Sequence, residues 1–151
     1  MKKMHLIVAA LVYSLASVAQ KDPVHFSYRA EKLNDKTYAI HITANIEEGW
    51  HIYSQNQPKK AISQPTKIVF TKSPMFTWTG SLLEKGNKEK YEDKIADIIQ
   101  YQYGGTVEFV QTVTLKSPTA KSAINGSITY QACTDEMCQQ PQTVPFSISI
   151  E

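Results

Sequence analysis

Cysteine is scarce: the 151-residue chain has only two, Cys133 and Cys138, which is too few for the disulfide scaffold of a small secreted module. Neither falls in a zinc-ligand spacing with the four histidines, so no metal site is expected. The six glycines form no phosphate-cradling loop, and no serine or carboxylate hydrolase motif occurs. Beyond the N-terminus, no segment is long and apolar enough to span a bilayer. No amphipathic helix, internal repeat or charge imbalance stands out either. With Lys2 and Lys3 removed in a leader, 14 basic residues face 14 acidic ones, which gives no reason to expect nucleic acid as a partner. No cofactor is expected.

The N-terminus is the exception to this polarity. A basic start, Met1-Lys2-Lys3, precedes an apolar run from Leu6 to Val12 that weakens toward Val18, followed by Ser17-Val18-Ala19. This is the pattern of a secretory signal peptide over residues 1–19, cut before Gln20. Residues 20–151 then form one exported domain, in a compartment that permits disulfides. That length suits a single hydrophobic core.

The body reads as strands. Val24, Phe26, Tyr28 and Ala30 alternate with His25, Ser27 and Arg29. Tyr38, Ile40, Ile42 and Ala44 share one face of the next segment, after a turn at Leu33-Asn34-Asp35-Lys36. Period-two alternation of this kind marks half-buried antiparallel strands. Further strands are expected at 50–53, 67–70, 76–82, 97–101, 106–115, 126–133 and 143–150. Gln57-Pro58-Lys59-Lys60, Gly104-Gly105 and Asn125-Gly126 read as turns between them. The Lys- and Glu-rich stretch 84–94 reads as a solvated loop or hairpin tip. About nine short strands predict an all-β, immunoglobulin-like antiparallel β-sandwich. His25 and His41 fall on polar faces and read as surface. His51, beside Trp50, lies near a candidate binding surface.

The cysteines lie in Tyr130-Gln131-Ala132-Cys133-Thr134-Asp135-Glu136-Met137-Cys138-Gln139-Gln140-Pro141. Ile128, Tyr130 and Ala132 share the core phase, which leaves Thr129, Gln131 and Cys133 on the opposite face. With two cysteines only one intramolecular bridge exists. A straight strand would hold their Cα atoms about 16 Å apart, so the chain must turn within residues 134–137. Closing so small a loop stabilises a fold by only roughly 2 kcal/mol, a weak staple. The short acidic loop instead suits a disulfide offered to another thiol. Asp135 and Glu136 then disfavour thiolate formation by like-charge repulsion, or simply keep the loop soluble. Tyr53 and Tyr130 are placed near the pair or in the core, and Pro141 stiffens the exit.

The segment Gly126-Ser127-Ile128-Thr129-Tyr130-Gln131-Ala132-Cys133, with Cys138, Pro141 and Thr143-Val144-Pro145-Phe146, resembles the N-terminal periplasmic domain of the DsbD thiol:disulfide interchange family. Glu48-Gly49-Trp50-His51-Ile52-Tyr53-Ser54-Gln55 resembles that domain's Gly-aromatic-x-aliphatic-Tyr strand. The resemblance implies an immunoglobulin-like sandwich with Cys133 and Cys138 as its redox pair. Electrons would pass from a thioredoxin-like donor on a separate DsbD-type membrane protein to oxidised periplasmic proteins. It also implies that Cys138 forms the intermolecular bond and Cys133 resolves it. The chain reaches Glu151 without a membrane electron channel or thioredoxin-like domain, so a separate periplasmic shuttle is expected. The family's aromatic cap loop is matched to 81–86, with Leu83 as an apolar lid. The alternative is a non-catalytic immunoglobulin-like binding or assembly module with a structural loop disulfide.

Overall fold

In a computed structural model, which describes residues 21–117 and 122–150, the chain is all β. The expected signal peptide lies outside the described residues. Nine strands form: β1 (Val24–Lys32), β2 (Thr37–Ile46), β3 (His51–Tyr53), β4 (Lys67–Phe70), β5 (Phe76–Asp93), β6 (Ile98–Leu115), β7 (Ser122–Tyr130), β8 (Ala132–Cys133) and β9 (Gln142–Ile150).

β1 and β2 form a hairpin in register from Val24↔Ile46 to Lys32↔Tyr38. Its turn is closed by Asn34, whose side-chain oxygen accepts from the Lys36 and Thr37 amides at 3.1 and 2.9 Å. An asparagine side chain mimics a backbone turn in this way.

The larger sheet is organised by β6. β5 pairs along one edge of β6 for nearly its whole length. On the other edge, β2 pairs with residues 106–114 and β3 with residues 102–103, so the two lie end to end. β6 bends where they meet, at Gly105 with φ 67°, a left-handed backbone that glycine adopts without steric cost. The expected Gly104-Gly105 turn is therefore a bend inside one strand. β8 completes this sheet by pairing with β3. The smaller sheet is β4-β7-β9, all antiparallel.

The two sheets close over one core. Ile40, Ile42 and Ala44 of β2 and Val107, Phe109 and Val113 of β6 pack with Ile124, Ile128 and Tyr130 of β7 and Phe146, Ile148 and Ile150 of β9. Aromatic rings join the layers: Phe26 meets Tyr130 at 5.1 Å and Tyr28 stacks on Phe146 at 5.5 Å. This is the immunoglobulin-like sandwich that the alternation predicts. Pro145 lies on the edge strand β9, where its missing N–H breaks no ladder between two neighbours.

Three expectations are corrected. The stretch 84–94 is solvated but is not a loop: all but its last residue belongs to β5, paired with β6 from Glu84↔Phe109 to Asp93↔Ile98, with Lys85 to Glu92 exposed. The hairpin turn comes later, with Asp93 Oδ1 accepting from the Ile95 and Ala96 amides. His41 is not surface. It is buried, with Nδ1 2.8 Å from Glu108 Oε1 and Nε2 3.2 Å from Glu31 Oε2. Asn125-Gly126 is not a turn but the middle of β7.

Glycine is required at that last position for lack of room. A Cβ on Gly126 would lie 2.4 Å from both Phe146 Cζ and the Val69 carbonyl oxygen. The Gly126→Ala variant should lose about 1–3 kcal/mol of unfolding free energy in urea titration, as overpacked sites do. Unchanged stability would show that the ring and strand give way freely.

Candidate functional site

The site is built on the short strand β3. Ile52 points into the core, and its neighbours His51 and Tyr53 take the opposite face by alternation. His51 pairs with Cys133 and Ile52 with Ala132 across β3–β8. The ladder continues past β3 through side chains. The Ser54 amide donates to the Tyr101 carbonyl at 3.0 Å. Gln57 then exchanges two hydrogen bonds with the Tyr101 backbone, donating from Nε2 at 2.6 Å and accepting at Oε1 from the amide at 2.9 Å.

A carboxylate holds this platform together. The Glu84 side chain is only 3% exposed. It accepts from Ser54 Oγ at 2.6 Å, the Gln55 amide at 2.6 Å, Tyr103 Oη at 3.0 Å and Lys88 Nζ at 3.0 Å. Burial pushes the Glu84 carboxyl up, but the bonds from Ser54, Gln55, Lys88 and Tyr103 together outweigh it and hold the group below the ordinary carboxylate value.

The cysteine turn hangs from β8. The Thr134 amide donates to the Met137 carbonyl at 2.7 Å, and the Glu136 and Met137 amides donate to Thr134 Oγ1 at 3.2 and 3.1 Å. The Gln139 amide returns to the Ala132 carbonyl at 2.9 Å, and Gln131 Nε2 donates to the Gln139 carbonyl at 3.1 Å. This turn, over the residues the spacing required, brings the two Cα atoms to 4.0 Å and closes the Cys133–Cys138 disulfide.

The two half-cystines are not equivalent. Cys133 is 0% exposed yet lies outside the apolar core cluster, consistent with its strand phase. The chain crosses from the smaller sheet to the larger one at Gln131 without losing that phase. Cys138 is exposed.

Cys138 opens onto a cavity of about 520 Å³. Asp135, Glu136 and Met137 line it from the turn, His51 and Tyr53 from β3, Tyr91 from β5, and Ile98 and Gln100 from β6. Ile62 lines it from the β3–β4 connection. Ile62, Tyr91 and Met137 are exposed apolar side chains, so the disulfide sits beside an apolar rim with two acids. His51 Nε2 is 3.4 Å from Tyr53 Oη. Burial pushes the His51 imidazole down, opposed in part by the charges of Asp135 and Glu89. Burial likewise pushes the Tyr53 phenol up.

Of the residues singled out from sequence, the cavity gathers Cys138, Asp135, Glu136 and Tyr53, with Cys133 beneath its partner. Tyr130 is elsewhere: it is buried in the core, and its hydroxyl donates to Asp22. Burial first, then Asp22, pushes its phenol up. Leu83 does not line the cavity: it is exposed and pairs with Val110, eight residues along β5 from the Tyr91↔Gln100 pair. Pro141 is exposed and does not line the cavity. Tyr91, Ile98, Gln100 and Ile62 were not anticipated. The alternation of Lys88 to Glu92 against Asp97 to Tyr101 was the available signal for a hairpin reaching this end of the sheet.

The model of the family "Thiol:disulfide interchange protein DsbD, N-terminal" matches residues 16–149. The chain belongs to the DsbD N-terminal family. A comparison with curated proteins gave no match. Among solved structures, the N-terminal periplasmic domain of ScsB from Proteus mirabilis is similar, with TM-score 0.58 and 16% identity over 89% of this chain and 48% of that one. The chain thus spans about half the length of that structure. The Neisseria meningitidis DsbD N-terminal domain in its reduced form aligns with TM-score 0.45 and 16% identity over 82% of this chain and 84% of that one. The yeast GGA1 GAE domain aligns with TM-score 0.50 and 13% identity over 89% of this chain and 96% of that one. At these identities the likeness is one of fold.

The Glu84 network has a pH signature. Its folded carboxyl lies below the unfolded value, so its stabilisation is complete above about pH 4.3 and is lost as pH falls through the lower folded value. The Glu84→Gln variant should lose about 1–3 kcal/mol at neutral pH, because buried donors lose their acceptor. The gap to the parent should narrow in acid. Equal urea midpoints at pH 7 would contradict the assignment.

Proposed function

We propose that the protein is an exported thiol:disulfide exchange protein. It relays electrons from a thioredoxin-like donor on a separate DsbD-type membrane protein to oxidised periplasmic proteins through the Cys133–Cys138 pair. The observation that carries this reading is the asymmetry of the bridge: one sulfur-bearing residue exposed at a cavity, the other fully buried next to it. Exchange needs one reachable sulfur and a second close enough to close the cycle. Family membership supports the same chemistry.

On reduction, a donor thiolate attacks Cys138 Sγ. The Cys133–Cys138 bond breaks, and its electron pair stays on Cys133 sulfur, which takes up a proton. A donor–Cys138 mixed disulfide remains. The donor's second thiolate attacks its own sulfur in that bond and frees Cys138, so donor dithiol becomes disulfide and this protein becomes dithiol. On transfer, the Cys138 thiolate attacks a target disulfide and Cys133 resolves the mixed species. Asp135 and Glu136 beside Cys138 disfavour the thiolate, which makes the pair a carrier of restrained reactivity. The apolar rim of Ile62, Tyr91 and Met137 gives a partner a surface to dock on. No protein cofactor enters the cycle.

Trapping tests the roles. With Cys133→Ser, Cys138 should accumulate a mixed disulfide with a thioredoxin-like protein that lacks its resolving cysteine and whose remaining cysteine is activated as a thionitrobenzoate disulfide, the thionitrobenzoate thiolate leaving as the intermolecular bond forms, read on a non-reducing gel. With Cys138→Ser, the yield should be at least tenfold lower. Equal yields, or trapping through Cys133 alone, would overturn the assignment of Cys138 as the attacked sulfur.

A further inference from the structure

The resolving step poses a problem of proton removal. Cys133 is fully buried, and burial raises a thiol's pKa. Only the thiolate attacks. The cavity beside it offers no lysine or arginine among the described residues that line it, and the turn contributes two acids, Asp135 and Glu136. Both disfavour a second negative charge.

One nitrogen base is in place. His51 stands directly opposite Cys133 in the antiparallel β3–β8 pair. Side chains of directly opposed residues project from the same face, with Cβ atoms about 4.5–5.5 Å apart. The His51 side chain therefore starts about 4.5–5.5 Å, Cβ to Cβ, from that of Cys133 on the same face, and its imidazole also lines the cavity onto which Cys138 opens. Its surroundings hold it ready as a base. Tyr53 Oη lies 3.4 Å from Nε2 and packs edge-on to the ring at 5.4 Å between centroids. The other ionisable groups facing it are Tyr91 and Glu89 of β5 and Asp135 and Glu136 of the turn; β6 presents only Gln100 and Gln102.

We propose that His51 is the general base that deprotonates Cys133 in the resolving step, an assignment that rests on the exchange reading above. In the mixed disulfide between Cys138 and a target, the Cys133 thiol gives its proton to the unprotonated ring nitrogen of His51. The Cys133 sulfur attacks Cys138 Sγ and the intramolecular bond forms. The bond from Cys138 to the target sulfur breaks, its electron pair leaves on that sulfur, and the imidazolium returns the proton to it. The target gains two electrons and this protein loses them. Burial keeps the imidazole neutral near pH 7, so it is in the accepting form when needed.

Stopped-flow oxidation of the reduced protein by dithiodipyridine separates the steps. Attack by Cys138 releases a first coloured thiol at a rate proportional to reagent. Resolution by Cys133 releases a second at a rate independent of it. For the parent, the second rate should level off above about pH 6.5, the ordinary histidine range. For His51→Gln it should fall at least tenfold at pH 7 and keep rising through and beyond the ordinary thiol value of about 8.5, because burial raises the Cys133 thiol. The first phase should change less than threefold. His51→Tyr, which keeps an aromatic ring opposite Cys133, should remain as slow as His51→Gln. Recovery of the parent rate by His51→Tyr would assign His51 a packing role and overturn the proposal, as would an unchanged second phase in His51→Gln. Absence of the first phase in the parent would overturn the exchange reading itself, and this proposal with it.

Discussion

The Glu84 carboxylate is removed from water at the junction of three segments, and it stays charged only because four donors converge on it. Ser54 and Gln55 come from the end of β3, Lys88 from β5 itself and Tyr103 from β6. An ionised group taken out of water without such partners would cost several kcal/mol. The network fixes where β3 ends and how β5 and β6 sit beside it. β8, which carries Cys133, is paired with β3, so the position of the sulfurs is set by a contact that touches neither of them.

That arrangement explains how a sandwich can carry a disulfide turn without relying on it for stability. The core lies between β2, β6, β7 and β9 and does not include either cysteine. The bridge closes a tight turn at the end of the larger sheet, where breaking it removes only a short constraint. Cys138 is exposed and Cys133 fully buried, the asymmetry on which the proposed exchange rests. The bend of β6 at Gly105 contributes as well. It lets one strand serve β2 in the core and β3 at the site.

Much of this was legible in the chain. The alternation in β1 and β2 placed the core faces correctly, and Asn34 marked its turn. The phase Ile128, Tyr130, Ala132 put Cys133 off the core face, and the spacing forced the turn at residues 134–137. What alternation could not convey is burial from above: Cys133 and His41 lie off the core face yet are covered by their neighbours. The stretch 84–94 misled because strand pairing is a long-range property. Lys85 to Glu92 do stay exposed along the paired strand, whereas Glu84 shares the inward phase of Phe76, Trp78 and Leu82. Gly104-Gly105 and Asn125-Gly126 carry turn chemistry, but one serves a bend and the other makes room for Phe146. Tyr130 and Leu83 were drawn toward the disulfide by their nearness in sequence or by resemblance. The fold sends the first into the core and leaves the second midway along β5, outside the cavity lining.

Whether the Cys133–Cys138 bond is a working disulfide or a structural one is a question of its free energy of reduction. The most direct measurement is its equilibrium reduction potential, obtained by counting free thiols across a graded dithiothreitol redox buffer. A carrier should give a value above about −300 mV, within reach of thioredoxin-like donors. A value below about −300 mV would mark a bridge that such donors leave intact, and would contradict the account.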